Sequence, residues 1–302
     1  MSISHDVQYV GFFAAPGGLR VALPVPVHAG PGPPALRAGG SSRQRTTDEE
    51  ETTMCHDIDS RPPAAPVVTG GVAEHGPLEI GTVDGNRFRA YRAAPAVPNG
   101  RNVLLLPDVR GLHPFYASLA RRFAEAGFHT LVMDYYGRSA GTGDRDDSFD
   151  AYAHLALLQP LHVETDAAAA AAAIRSWHPG PLFSVGFCLG GGYSWRLGAA
   201  GLGLAGAIGF YGPPRILGDR AAEPSAPLLM LLAGADVVTT PEEYATLTAA
   251  FDRTGKEYEE HVYDGAPHSF FDDSYDRWQE ACADAWHRIL GFTARHGGEA
   301  AA

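Results

Sequence analysis

A cysteine with two flanking glycines gives this chain a candidate nucleophile. Cys188 lies in the motif Gly186-x-Cys188-x-Gly190, which has the spacing of a nucleophile elbow, with cysteine where serine is more common. In so sharp a turn from strand to helix, the residues two before and two after the nucleophile must be small. Cys188 would then begin a helix, whose dipole favours the thiolate over the thiol. The alternative is a buried structural cysteine beside a glycine-rich helix start.

The candidate acid and base follow predicted strands further along the chain. Asp236 comes just after the apolar run at 228–232, and His268 lies in the loop after the predicted strand at 258–263. Because catalytic groups gather at the carboxyl ends of parallel strands, we expect both near Cys188. The cysteine would attack a carbonyl carbon, the histidine would hold the thiolate as an ion pair or shuttle its proton, and the aspartate would orient the imidazole.

Other residues of the same types compete for these roles. Asp264 and Asp272 flank His268 and could supply the acid, although the position of Asp236 at a strand end favours Asp236. His261 lies inside a predicted strand and His287 inside a predicted helix, so packing or surface positions are expected for both.

Scattered histidines do not make a convincing metal site. His113, His129 and His154 lack the spacing of zinc ligands, so no metal and no cofactor is predicted.

Composition excludes several classes of partner. The formal net charge is −12 and no basic stripe offsets it, which argues against nucleic acid. The longest apolar runs fall short of the roughly 20 residues that a membrane helix needs. The three cysteines, Cys55, Cys188 and Cys282, have no framework spacing and suggest a reducing compartment. We expect a soluble, cytoplasmic protein, with a monomer favoured.

Strand and helix patterns alternate from residue 78 onward, which predicts an α/β fold with a mainly parallel twisted sheet and helices on both faces. The predicted strands are 78–83, 87–92, 102–106, 129–133, 181–187, 204–210, 227–232 and 258–263. The predicted helices are 114–126, 166–177, 190–200, 241–253 and 275–294. A long polar loop is expected at 134–147.

The chain ends differ in composition from this domain. Residues 1–76 are rich in Pro and Gly and are predicted to form a disordered extension, in which Met54 is a possible true start. We place one domain at 77–296 and a flexible tail at 297–302.

The segments around the three candidates resemble the dienelactone hydrolase family over about residues 78–294. The resemblance rests on the segments 186–191, 234–236 and 265–270. It implies an α/β-hydrolase that cleaves an ester, a lactone or possibly a thioester through Cys188, Asp236 and His268. It also implies an oxyanion hole made by the backbone N–H groups of Leu189 and Val109.

Two departures from the family pattern bear on the substrate. Asp108 stands where the family commonly has a glutamate that assists the cysteine, and is a possible activator. Asp272 stands near the place of an arginine that holds the carboxylate of dienelactones. Arg110, Arg138 or Arg145 could hold an anion instead.

The substrate pocket is expected to have aromatic side chains in its walls. One or two of the aromatic residues Phe115, Tyr136, Phe187 and Tyr211 are expected to line it, together with Arg110. The polar segment 141–145 would be a substrate-facing loop or a linker. The competing functions are a broad-specificity carboxylesterase and a non-catalytic ligand-binding or thiol redox-sensing protein.

Overall fold

The structure, a computed structural model, describes residues 60–223, 225–272, 274 and 276–298. Strands and helices alternate along this part of the chain. The strands are β1 (Val72–Gly81), β2 (Arg87–Pro95), β3 (Asn102–Leu106), β4 (His129–Met133), β5 (Leu182–Phe187), β6 (Gly206–Phe210), β7 (Leu228–Ala235) and β8 (Tyr258–Pro267). The α-helices are α1 (Pro114–Glu125), α2 (Gly137–Ala140), α3 (Ala151–Leu155), α4 (Pro160–Trp177), α5 (Leu189–Gly198), α6 (Pro241–Thr254) and α7 (Gln279–His296).

The eight strands form one sheet in the order β1-β2-β4-β3-β5-β6-β7-β8. β2 pairs antiparallel with β1 and β4, whereas all other neighbours pair in parallel. The predicted mainly parallel sheet is confirmed. Because β3, β5, β7 and β8 run in the same direction, the loops that follow them lie at one edge of the sheet.

Helices cover both faces of this sheet. Val103 and Leu105 of β3 belong to a core that includes side chains of α1 and α7. Leu104 and Leu106 point to the other face, where they join a core with α4. All four side chains are completely buried. Burial on both faces explains why the central strands appear in the sequence as continuous apolar runs. Among the described helices, none is both long enough and apolar enough to cross a membrane.

Two helices show how well local signals marked their ends. α6 begins with a capping box between Thr240 and Glu243 and ends at Gly255, whose φ is 66°. Its predicted range was therefore nearly right. α4 begins at Pro160 rather than at Asp166, because proline suits the first turn of a helix and the alanine-rich stretch is only its second part.

The predicted domain boundary at residue 76 falls inside a strand, because β1 begins at Val72. Further upstream, the indole N–H of Trp286 donates to the carbonyl oxygen of Pro63 at 3.2 Å, and the backbone N–H of Arg61 donates to Asp272 at 2.9 Å. These contacts join positions more than 200 residues apart, which local composition could not reveal. Residues 1–59, with Met54, and residues 299–302 lie outside the described part.

A pair of stacked histidines connects the start of β4 to the end of α4. The rings of His129 and His178 are 3.2 Å apart between centroids and nearly parallel at 12°. Burial, together with the neighbouring His178, lowers the pKa of His129 to about 4. The imidazole therefore stays neutral in the folded protein at a pH where it is protonated in the unfolded chain.

The lowered pKa of His129 predicts that the protein loses stability in acid. As the pH falls from about 6.5 to about 4, protonation at His129 lowers the free energy of unfolding by up to about 3 kcal/mol, because only the unfolded state takes up the proton. We expect the melting temperature of His129→Gln to fall less than that of the wild type between pH 7 and pH 4.5. The exposed His287 gives the control, since His287→Gln should follow the wild-type curve. Parallel curves for the wild type and His129→Gln would contradict the assignment.

Candidate active site

Cys188 occupies the sharp turn between β5 and α5. Its φ of 51° and ψ of −117° lie where residues other than glycine are seldom found, and such a conformation costs on the order of 1–3 kcal/mol. A Cβ atom added to Gly186 would lie 1.9 Å from the carbonyl oxygen of Gly190. One added to Gly190 would lie 2.0 Å from the carbonyl oxygen of Leu106. The small residues required on both sides of Cys188 are therefore needed for close backbone packing.

Asp236 and His268 meet at the edge of the sheet that Cys188 occupies. Asp236 directly follows β7 and His268 directly follows β8. The imidazole Nδ1 lies 3.0 Å from both carboxylate oxygens, and the two side chains are only 2% and 3% exposed. The same carboxylate accepts the backbone N–H groups of Val238 at 2.7 Å and Thr239 at 3.3 Å. Four contacts thus fix the acid against the imidazole.

The contact with Asp236 does not use the second ring nitrogen of His268, Nε2. Nε2 of His268 is buried and has no hydrogen-bond partner among the described residues. Tyr211 packs against this imidazole with 4.7 Å between ring centroids. Burial first, and then the charges of Cys188 and Asp108, raise the pKa of Tyr211 well above its usual value. Tyr211 therefore packs against one side of His268.

The two competing acids are elsewhere. Asp264 is exposed to solvent. Asp272 is completely buried, and its carboxylate accepts the backbone N–H groups of Arg61 and Ser274, both at 2.9 Å. The carboxylate hydrogen-bonded to Nδ1 of His268 belongs to Asp236.

A mostly apolar cavity of about 280 Å³ opens above Cys188. Val109 and Leu189, the two residues expected to form an oxyanion hole, line the cavity together with Cys188. The N–H of Leu189 belongs to the first turn of α5 and so has no acceptor within the helix. The other lining residues are Tyr152, Leu155, Pro213, Arg215, Ile216 and Val238.

Three buried tyrosines hold the backbone around Val109. The hydroxyl of Tyr135 donates to the carbonyl oxygen of Pro107 at 2.8 Å, and that of Tyr136 donates to the carbonyl oxygen of Val109 at 2.5 Å. The N–H of Asp108 donates to the hydroxyl of Tyr116 at 2.9 Å. Hydrogen bonds on three successive residues fix this segment before any substrate arrives, as electrostatic stabilisation of an oxyanion requires.

Removing one of these hydroxyls tests their role. We expect Tyr136→Phe to lower kcat about tenfold with little change in KM, because it would misplace the N–H of Val109 in the expected oxyanion hole, which acts on the transition state more than on the bound substrate. Tyr258→Phe is the matched control, since that exposed hydroxyl contacts Asp252 instead. The measurement is steady-state kinetics on one ester at constant temperature. An increase in KM at unchanged kcat would argue against positioning of the oxyanion hole.

Asp108, the possible activator, has a charged partner. Its carboxylate is 1% exposed and lies 2.9 Å from the Arg110 guanidinium, which also donates through Nε to both oxygens. The backbone N–H of Arg110 donates to the same carboxylate at 2.8 Å. The Asp108 carboxylate therefore lies near the cavity as one half of a neutral pair.

The other two candidate anion-binding arginines are also paired with carboxylates. Arg145 lies 2.9 Å from the completely buried Asp134, whose pKa is raised by burial while Arg145 opposes the rise. Its guanidinium also donates to the carbonyl oxygens of Gly141 and Gly143, so it orders the polar segment 141–145. Arg138 forms a 2.6 Å ion pair with Asp166.

The aromatic residues predicted to line the pocket lie in the protein core. Phe187, for example, stacks on Phe210 with ring centroids 4.6 Å apart. None of the predicted pocket residues Arg110, Phe115, Tyr136, Phe187 and Tyr211 is among the residues described as lining the cavity. Sequence reasoning missed Tyr152 and Leu155 of α3. The signal for them was Asp150, which caps that short helix, followed by two apolar residues three positions apart.

The scattered histidines have separate environments. His113 contacts Asp147 at 3.0 Å, His129 stacks on His178, and His154 stacks on a phenylalanine ring. Within the described ranges, no three acidic, histidine or cysteine residues come together as metal ligands.

A mainly parallel sheet in this strand order, with a nucleophile elbow after β5 and a histidine after β8, defines an α/β-hydrolase. The chain belongs to the dienelactone hydrolase family, whose model matches residues 88–297. A Salmonella typhi protein named "Putative carboxymethylenebutenolidase" is 28% identical over 233 residues, which cover 71% of this chain and 85% of the relative. The carboxymethylenebutenolidase of Pseudomonas sp. strain P51 is 28% identical over 204 residues, which cover 64% of this chain and 83% of the relative.

A solved structure shares the fold. The dienelactone hydrolase-like promiscuous phosphotriesterase from metagenomic libraries is 23% identical and gives a TM-score of 0.59, covering 72% of this chain and 98% of that one. Together with the family match, these relatives place the chain among hydrolases of esters and lactones.

Proposed function

We propose that this chain hydrolyses a carboxylic ester or lactone through a covalent acyl-enzyme on Cys188. His268 serves as general base and acid, and Asp236 orients the imidazole. The backbone N–H groups of Leu189 and Val109 bind the oxyanion. The observation that carries the proposal is the buried pair of Asp236 and His268, which directs Nε2 of the histidine away from the acid.

Each step uses a group at the site. The Cys188 thiolate attacks the carbonyl carbon, and the carbonyl oxygen becomes an oxyanion held by the two N–H groups. When the intermediate collapses, the bond to the leaving oxygen breaks and that oxygen takes a proton from Nε2 of His268. A water molecule then gives a proton to Nε2 and attacks the thioester. The second collapse releases the acid and restores the thiolate and the imidazolium.

The structure supports this use of the thiol in two ways. Cys188 stands at the head of α5, where the helix dipole stabilises an anion. A strained backbone at a candidate nucleophile is also typical of functional positions. The competing role as a redox sensor requires no acid or histidine in this order.

The test is the mass of the intact protein after brief exposure to activated esters and lactones, including a dienelactone, under reducing conditions. We expect an added acyl mass on the wild type and none on Cys188→Ala. The most efficient donor would begin to define the acyl group. Equal labelling of both proteins would remove Cys188 from the mechanism. Neither adduct nor turnover with any donor would favour the ligand-binding or redox-sensing function.

A further inference from the structure

We propose that the substrate is an uncharged ester or lactone whose apolar part fills the cavity beside Cys188. This inference rests on the proposed function and narrows its substrate class. It is carried by two features of the site, which are the side chains that line the cavity and the partners of the nearby arginines.

Three separate segments supply apolar walls to the cavity. Tyr152 and Leu155 come from α3, Pro213 and Ile216 from the segment after β6, and Val238 from the loop after Asp236. The volume of about 280 Å³ is close to the roughly 300 Å³ at the lower end of the range for small-molecule pockets. A short aliphatic or aromatic group would fit and would displace water from apolar surface.

The three arginines that the sequence suggested for anion binding each form an ion pair with a carboxylate of the protein. Arg110 is bound to Asp108, Arg138 to Asp166, and Arg145 to Asp134. Recruiting any of them for a substrate would leave a protein carboxylate without its partner, which is costly for buried groups. Asp134 and Asp166 are both almost completely buried.

One cation does line the cavity. Arg215 is the single charged residue among the described cavity residues, and it lies 3.6 Å from the carboxylate of Glu243. Its side chain is 58% exposed, so its charge is screened by solvent.

The reacting groups themselves disfavour an anionic substrate. In the proposed resting state, the Cys188 thiolate, the His268 imidazolium and the Asp236 carboxylate sum to one net negative charge. A substrate carboxylate pushed against apolar walls would lose its hydration and meet this charge without a dedicated partner.

A matched pair of esters tests the charge preference. p-Nitrophenyl hexanoate and mono-p-nitrophenyl adipate have acyl chains that differ at the far end, where a carboxylate replaces a methyl group. We expect kcat/KM of the wild type to be at least about 30-fold higher for the hexanoate. It should also rise from acetate to hexanoate by about fourfold for each methylene, which corresponds to about 0.8 kcal/mol, until the cavity is full.

A matched pair of variants tests whether the acyl chain of the substrate binds in this cavity. Leu155→Ala should reduce the ratio of kcat/KM for hexanoate to that for acetate by about threefold or more. Leu161→Ala should leave this ratio at the wild-type value, because Leu161 is 64% exposed on α4 and does not line the cavity. Melting temperatures of both variants show whether they are folded.

The outcomes separate this inference from the function on which it rests. Turnover that depends on Cys188 but shows a flat chain-length profile would overturn the inference alone. A preference for the adipate ester that disappears in Arg215→Gln would reassign the cavity to anionic substrates. Absence of any Cys188-dependent turnover would overturn the proposed function and this inference with it.

Discussion

Replacing Cys188 by alanine should lower kcat for any ester by roughly 10³-fold or more, because the acyl-enzyme can no longer form. The loss should come without unfolding. The thiol is small, alanine tolerates the same turn about as well as cysteine does, and the glycines that permit the turn stay in place. Loss of one sulfur atom should cost about 1 kcal/mol, which lowers the melting temperature by roughly 2–4 °C.

The chain contains its own control for this experiment. Cys282 is also buried, at 2% exposed, and its thiol donates to the carbonyl oxygen of Phe270 at 3.4 Å. Cys282→Ala therefore removes a similar amount of buried sulfur outside the cavity, and should retain most of the activity. Kinetics and melting curves must be measured with reductant present, since thiolates oxidise readily. Full turnover by Cys188→Ala would exclude thiol catalysis.

The sequence predicted the three catalytic candidates well because one rule applied to all of them, namely that functional groups follow the carboxyl ends of parallel strands. The runs now seen as β5 and β7 are apolar because neighbouring strands and helices cover them, and Cys188 and Asp236 follow these two strands. β8, which precedes His268, is instead a largely exposed edge strand. Strand direction then brings Cys188, Asp236 and His268 to one edge. The elbow glycines were equally predictable, because backbone contact leaves no room for a Cβ atom on either side of the cysteine.

The walls of the site could not be predicted in this way. α3 has only five residues, so although Asp150 marks its beginning, its periodicity is too short to distinguish from a loop. Phe187 and Tyr211 are adjacent to catalytic candidates in sequence or space, yet packing directs both into the core. Which carboxylate neutralises which arginine is also a long-range outcome, as the contact between Arg138 and Asp166 illustrates.

Asp236→Asn should lower kcat by roughly 10³-fold while leaving the fold intact. The amide oxygen can still accept the backbone N–H groups of Val238 and Thr239, which keeps the loop after β7 in place. The side-chain contact with His268 is what changes. An amide N–H directed at Nδ1 favours the tautomer that carries its proton on Nε2, so the imidazole would no longer accept a proton from the thiol or from water.

The matched variant is Asp264→Asn, because this exposed aspartate is four residues before His268 and was the competing candidate by sequence. It should keep kcat within about twofold of the wild type, as expected for a surface carboxylate without a role. Both variants also lose one negative charge, so a difference between them cannot come from net charge. A large loss in Asp264→Asn together with normal turnover in Asp236→Asn would mean that the acid of the site has been assigned to the wrong strand.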